Sequence, residues 1–154
     1  VDMNYVDYIK RAGFTSRPGE FVDKNGNILG IHQGILNYTL GQRKGLGIAL
    51  GKPAFVTKID FEKNRITLGD NEDLFHTTVV SQQNVFAAHS PEIYDGKEVL
   101  AKVRYSAAPA KAVLKIDADR IITEFKQPQR AATPGQSIVF YDGDRVLGGG
   151  FISE

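Results

Sequence analysis

The chain has 154 residues, 42% of them hydrophobic, a formal net charge of +1 and no cysteine. That length and apolar content can bury a good core as one domain or two small ones. Zero cysteines exclude disulfides, persulfides and thiolate metal sites within the chain, and no apolar run approaches the ~18 residues of a membrane span, so a cytoplasmic protein is the expectation.

Taken in chain order, the first expected element is a short N-terminal helix from about Asp2 to Ala12, with Tyr5, Tyr8 and Ile9 on one stripe. After Pro18-Gly19 the pattern turns strand-like almost throughout. Phe21 to Leu29 carries Asn25-Gly26 between two β-prone arms, which predicts a hairpin through a type I′ turn. Ala54 to Asp60 and Arg65 to Leu68 read as a second strand pair turned by Glu62-Lys-Asn64, and the acidic Asp70-Asn-Glu-Asp73 ends that unit. Strands are then predicted over Thr78 to Val80, Lys97 to Tyr105, Lys111 to Ile116, Arg120 to Phe125, Ser137 to Tyr141 and Arg145 to Phe151. Six strands separated by turn residues and without a helical crossover predict an antiparallel barrel, which leaves no open edge. Within the second of them, Val99, Ala101, Val103 and Tyr105 share one face and Lys102 and Arg104 the other. Asp142-Gly143 is read as the last hairpin turn. The fold class is therefore mainly β, with a small β-rich domain over residues 1–75 and a six-stranded barrel over residues 76–154.

The segment Tyr38-Thr-Leu-Gly-Gln-Arg-Lys-Gly-Leu-Gly-Ile48 is the most informative in the chain. Gly41, Gly45 and Gly47 suit positive φ or close approach to a ligand. Lys24, Arg43, Lys44, Lys52 and Lys58 lie in a run from Lys24 to Ile59 that holds no Asp or Glu. Segregated positive charge usually meets a polyanion, here expected to be RNA; a tightly turning solvated loop fits the same residues as well. A second acid-free interval, Val99 to Ile116, holds Lys102, Arg104, Lys111 and Lys115, charges that give affinity and register but no sequence choice.

Other chemistries fail on spacing. Gly45 to Pro53 imitates a phosphate loop but has Leu46 where glycine is required and Pro53 where Ser or Thr is required. The dinucleotide pattern would need glycine at Leu50. His32, His76 and His89 are far apart and belong to no ligand cluster, so no metal is expected. No serine elbow is present, and no catalytic residue is assigned within this chain.

The Tyr38 to Ile48 segment, preceded by Gly30-Ile-His32-Gln-Gly34, resembles the hallmark of the bacterial tRNA-specific 2-thiouridylases. Thr133-Pro-Gly-Gln-Ser-Ile-Val-Phe-Tyr-Asp-Gly143, running on to Leu147-Gly-Gly-Gly150, is similar to the end of that family, and Val103-Arg-Tyr105 falls between them in the family's order. The resemblance implies an intact enzyme that uses ATP to adenylate the C2 oxygen of a wobble uridine, with a cysteine persulfide delivering sulfur from a donor protein. It also implies that the nucleotide-binding domain and both reactive cysteines lie before Val1, the second only a few residues upstream. This chain would then be the central domain followed by a barrel similar to domain 2 of translation elongation factors, itself inactive and without a cofactor.

The resemblance further implies that Arg104 and Tyr105 contact tRNA, where pattern by itself favours Tyr105 in the barrel core and Arg104 in solvent. It implies the same for Gln136, which follows a Pro134-Gly135 pair suited to a type II turn. For Arg43 and Lys44 two roles stay open, phosphate contact or a lid that orders when tRNA docks, and Gln42 suits either. An older family label as a methyltransferase finds no glycine-rich methyl-donor pattern here. A stand-alone translation-factor-like barrel that binds RNA or protein, and a purely structural domain, are the competing readings; the coding sequence upstream of Val1 and tRNA binding at low salt separate them.

Overall fold

The computed structural model describes residues 16–87 and 90–153; the helix expected from Asp2 to Ala12, and His89, lie outside them. The described chain is mainly strand: β1 (Gly19–Val22), β2 (Ile28–His32), β3 (Phe55–Asp60), β4 (Arg65–Gly69), β5 (Phe75–Phe86), β6 (Glu98–Lys102), β7 (Ala110–Asp117), β8 (Arg120–Arg130), β9 (Ser137–Asp142) and β10 (Arg145–Ile152). Helical structure among the described residues is confined to short 3-10 turns, Ile35–Asn37, Asn71–Leu74 and Pro91–Tyr94. Two compact units meet in sequence between Asp73 and Leu74, and each has its own buried apolar cluster.

In the first unit the strand order is β2-β1-β4-β3. The β1–β4 pair is parallel and the other two are antiparallel. Alternation drives the arrangement, because Ile66 and Leu68 point from β4 into the core while the residues between them do not. Phe21, Val56 and Ile66 are fully buried there. Leu46 completes the cluster from the glycine-rich loop, with Tyr38, Leu40, Ile48 and Leu50 packed beside it.

The β1–β2 hairpin forms where Asn25-Gly26 placed it, but the turn is of another kind. A type I′ turn needs positive φ at both central residues, and only Gly26 (φ 85°) has it. The Asp23 side chain decides the geometry. Its Oδ1 accepts the N–H groups of Asn25 (2.8 Å) and Asn27 (2.9 Å), while the Gly26 N–H bonds the Asp23 carbonyl (3.0 Å).

The second unit is a closed barrel in the order β10-β5-β8-β7-β6-β9, with β9 pairing back to β10 and every pair antiparallel. All six expected strands are present, with three main changes of extent. The strand expected over Thr78 to Val80 runs from Phe75 to Phe86, the one expected to reach Tyr105 ends at Lys102, and the one expected to end at Phe125 runs on to Arg130. The core is filled by Ala101, Ala112, Leu114, Ile138 and Phe140, none of them exposed. Phe86 stacks between Tyr94 (5.2 Å) and Phe140 (5.9 Å).

The last hairpin turns one residue later than Asp142-Gly143 suggested. Asp142 pairs with Arg145, leaving Gly143 and Asp144 as the two-residue loop, with Gly143 at φ 58°. Gly148, Gly149 and Gly150 are not at positive φ. Their role is close packing: a Cβ on Gly148 would lie 2.8 Å from the Phe86 ring, and one on Gly150 2.7 Å from the Gln82 carbonyl oxygen.

Candidate functional site

In the first unit the candidate residues sit on the loop from Tyr38 to Pro53. It is tied to β3, which forms one edge of the four-stranded sheet. The Gly41 N–H donates to the Val56 carbonyl (2.8 Å) and the Val56 N–H to the Gln42 carbonyl (2.9 Å), so the loop covers part of that edge. Gly41 (φ 81°), Gly45 (φ 72°) and Gly47 (φ 71°) all take the left-handed conformation, at little steric cost because they lack a Cβ.

Gln42 spends its amide inside the loop. Its Oε1 accepts the Thr39 N–H (3.0 Å) and its Nε2 donates to the Lys44 carbonyl (3.0 Å). It therefore shapes the segment that carries Arg43 and Lys44, both exposed. The Arg43 guanidinium lies 6.0 Å from the Phe55 ring centroid. Neither Arg43 nor Lys44 forms an ion pair among the described residues. Arg43 and Lys52 line a groove of about 290 Å³ with Gly45, Gly47 and Pro53.

His32, beside this loop in sequence, is a structural residue. It is fully buried, its Nδ1 accepts the Gly34 N–H (3.1 Å), and its Nε2 faces the Asn64 carbonyl at 3.2 Å. Nδ1 is therefore the acceptor and Nε2 carries the hydrogen. The ring meets Phe21 (5.5 Å) and Tyr38 (5.7 Å) edge-on.

In the second unit the candidates gather at one end of the barrel. Because neighbours are antiparallel, the end of β6, the start of β7, the end of β8, the start of β9, the end of β10 and the start of β5 lie together. Arg104 and Tyr105 follow β6, and Gln136 precedes β9, so the pairing of Lys102 with Val139 brings them to the same end. Val99, Ala101 and Val103 point inward as expected, but Tyr105 does not share their face: it is 96% exposed. The ladder stops at Lys102, and a turn closed by the Ala107 N–H on the Arg104 carbonyl (3.1 Å) swings Tyr105 outward. Its ring lies 5.3 Å from the Lys102 ammonium, a cation–π distance.

Arg104 is half-buried, with Nε screened from solvent and unpaired. Gln136 is exposed at the end of a Thr133–Gln136 turn in which Gly135 has φ 85°, as a type II turn requires. The Gly135 N–H bonds the Ile152 carbonyl and the Ile152 N–H the Gln136 carbonyl, both at 2.8 Å, which fixes this turn on β10.

Charge is polarised along the barrel. Glu92, Asp95, Asp117, Asp119, Asp142 and Asp144 sit in connections or strand ends at the opposite end, and the described barrel segments 74–86, 101–110 and 125–137 contain no Asp or Glu, although Asp70, Glu72 and Asp73 directly precede Leu74. The acid-free interval that seemed to extend to Ile116 is neutralised in space. Lys111 pairs with Glu98 (3.2 Å) and Lys115 with Glu124 (2.7 Å) from adjacent strands, and Lys126 joins Glu98. The ammonium groups of Lys126 and then Lys111 hold the Glu98 carboxyl below its ordinary range. In the first unit Lys24 pairs with Asp73 (2.7 Å) and Lys52 with Asp70 (3.1 Å). Among the described residues Arg43, Lys44, Lys102 and Arg104, near the motif positions, have no carboxylate partner, and neither do Lys58, Lys63 and Lys97.

Among the described residues no group of three or more His, Asp or Glu is placed to hold a metal ion, and no helix is long and apolar enough to cross a membrane. Phosphate sites use a glycine-rich turn leading into a helix N-terminus, and the loop containing Gly45, Gly47 and Gly51 leads instead into β3.

Comparison with known proteins adds the following. Residues 6–70 match a family model described as a tRNA methyl transferase PRC-barrel domain, and residues 76–152 one described as an aminomethyltransferase beta-barrel domain. A protein named tRNA-specific 2-thiouridylase MnmA in Lachnoclostridium phytofermentans is 50% identical over 154 residues, covering 98% of this chain and 43% of its own length. Its namesakes in Clostridium acetobutylicum and Clostridium beijerinckii are 46% and 48% identical over 153 residues, covering 98% of this chain and 43% and 42% of theirs. The chain thus spans under half the length of the curated relatives it matches.

Proposed function

This chain belongs to the tRNA-specific 2-thiouridylase family, as its central and C-terminal domains, and from that premise we propose that it is the part of a cytoplasmic tRNA-uridine 2-sulfurtransferase that grips and orients tRNA. The observation that carries this reading is the acid-free barrel end, where the unpaired cations Lys102 and Arg104 sit with exposed Tyr105 and Gln136. A phosphate oxygen would meet the solvent-facing part of the half-buried Arg104 guanidinium, and the Tyr105 ring offers a flat face to a base or sugar. Gln136 donates and accepts through one amide. Arg43 and Lys44 supply a second cationic contact from the first unit, with Gln42 holding their loop in shape.

In the intact enzyme, adenylation of the uridine by ATP and sulfur delivery from a cysteine persulfide belong to a nucleotide-binding domain of the same protein, and a separate donor protein supplies the sulfur. The described residues offer ATP no phosphate cradle and, with no cysteine in the chain, contribute no sulfur carrier. Their work is positional: neutralising phosphates and fixing the register of the tRNA.

The test is direct titration of this chain with unmodified tRNA at about 50 mM salt. Binding that weakens steeply with salt, and that falls when Arg104 and Gln136 are both replaced by alanine, supports the reading. Absence of tRNA binding by the folded wild-type chain at low salt refutes it, and leaves the barrel as a structural support.

A further inference from the structure

The exposed apolar side chains of the barrel sort by chemistry. Those that are aromatic, Phe75, Tyr105 and Phe151, lie toward the acid-free end, and the aliphatic ones, Val85, Ile93 and Val146, lie toward the acidic end. Phe151 stands out because the strand places it with care. It lies in β10 opposite Ser137 of β9 and Gln82 of β5, and it is 50% exposed while Ile152 beside it is buried. Gly149 and Gly150 precede it in the strand and carry no side chain themselves. The two backbone bonds between Ile152 and the Thr133–Gln136 turn hold Phe151 adjacent to Gln136.

An exposed phenylalanine costs solvation and contributes little packing, and a phosphate contact has no use for it. Aromatic rings beside unpaired cations, on barrel segments without Asp or Glu, are the composition of surfaces that bind unpaired nucleotides by stacking. A duplex keeps its bases inside the stack and would leave such rings without a partner. Resting on the tRNA-binding reading above, we propose that the barrel end takes an unpaired stretch of the RNA, and that Phe151 is a stacking residue for one of its bases, working beside Tyr105 and Gln136. The ring faces supply affinity for the base and Lys102 and Arg104 supply affinity for the backbone.

The experiment compares three probes on this chain: unmodified tRNA, a single-stranded RNA 12-mer and a 12-base-pair RNA duplex. Phe151→Ala is expected to lose roughly 5- to 150-fold in affinity for the single strand, the range for one stacked base, with an unchanged salt slope and an unchanged affinity for the duplex. Phe151→Trp restores single-strand binding, whereas Phe151→Leu, which keeps apolar bulk without a flat ring, does not. Melting temperatures equal to wild type qualify each variant, and if Phe151→Ala is unstable the Trp and Leu pair decides the matter. Wild-type single-strand affinity in folded Phe151→Leu, or equal losses on single strand and duplex, overturns the proposal. If wild type binds none of the three probes, the tRNA-binding reading itself fails; if it binds the duplex and tRNA but not the single strand, only the stacking proposal does.

Discussion

Arg104 and Lys111 make the sharpest comparison, because both lie in the same acid-free stretch of sequence and only one lacks a carboxylate partner in the fold. Lys111 is held at 3.2 Å by Glu98; Arg104 has a solvent-screened Nε–H with no acceptor. Replacing Arg104 by alanine removes a charge-assisted hydrogen bond to phosphate, worth about 1.5–3 kcal/mol, or roughly 10- to 150-fold in tRNA affinity. Releasing one fewer counterion lowers the slope of log affinity against log salt by about 0.9, so the deficit of the variant should shrink about 3.5-fold between about 50 and 200 mM salt. Lys111→Ala should leave both affinity and slope near wild type. Fluorescence anisotropy with end-labelled tRNA across that salt range measures both quantities. Because Arg104 Nε has no protein partner to orphan, Arg104→Ala should melt no lower than wild type. Equal losses from the two alanine variants, or an unchanged slope in Arg104→Ala, would refute the argument that spatial pairing selects the RNA-binding cations.

Thr123 is fully buried in the barrel with an unpartnered Oγ1, so the isosteric Thr123→Val should raise unfolding free energy by about 1–3 kcal/mol in urea titrations. Gly19→Ala should destabilise the first unit by at least about 1–3 kcal/mol, since its Cβ would fall 2.7 Å from His32 Nε2 and against the Asn64 backbone carbonyl; a denaturation midpoint at or above wild type contradicts this. Glu98 is held below its ordinary value of 4.5 by Lys126 and then Lys111. A carboxyl whose folded pKa is depressed stabilises above its unfolded pKa and loses that contribution as pH falls through the folded value. Glu98→Gln should therefore flatten the acid limb of the stability profile below about pH 4.5, which melting temperatures at stepped pH will resolve. Finally, the purified chain should neither hydrolyse ATP nor thiolate tRNA, as assays of phosphate release and of 2-thiouridine content would establish.

The strands were legible in the sequence because a barrel wall buries every second residue, and Val99-Ala101-Val103 and Ile121-Thr123-Phe125 carry that period openly. The glycines of the Tyr38 to Ile48 loop were legible too, since a run of left-handed positions needs residues without a Cβ. Turn type was not legible: Asp23 accepts two backbone N–H groups and displaces the type I′ geometry that Asn25-Gly26 suggests. Pattern by itself favoured Tyr105 in the barrel interior, because it extends the alternation past Lys102, where the hydrogen-bond ladder that enforces it has already ended. Phe151 was read as the end of a strand, since its outward face depends on a register shift between β10 and β5.

By itself, then, the sequence determined the strand content, the cysteine-free chemistry and the motif blocks that mark the family, all properties of local pattern. Only the tertiary structure decided which cations remain unpaired. Strands lie about 4.7–4.9 Å apart, so Lys111 and Lys115 meet Glu98 and Glu124 across the ladder, although no acidic residue stands near them in that acid-free interval. Charge interactions follow distance in space, and only the closure of the barrel gathers Lys102, Arg104, Tyr105, Gln136 and Phe151 at one end, on barrel segments that hold no Asp or Glu.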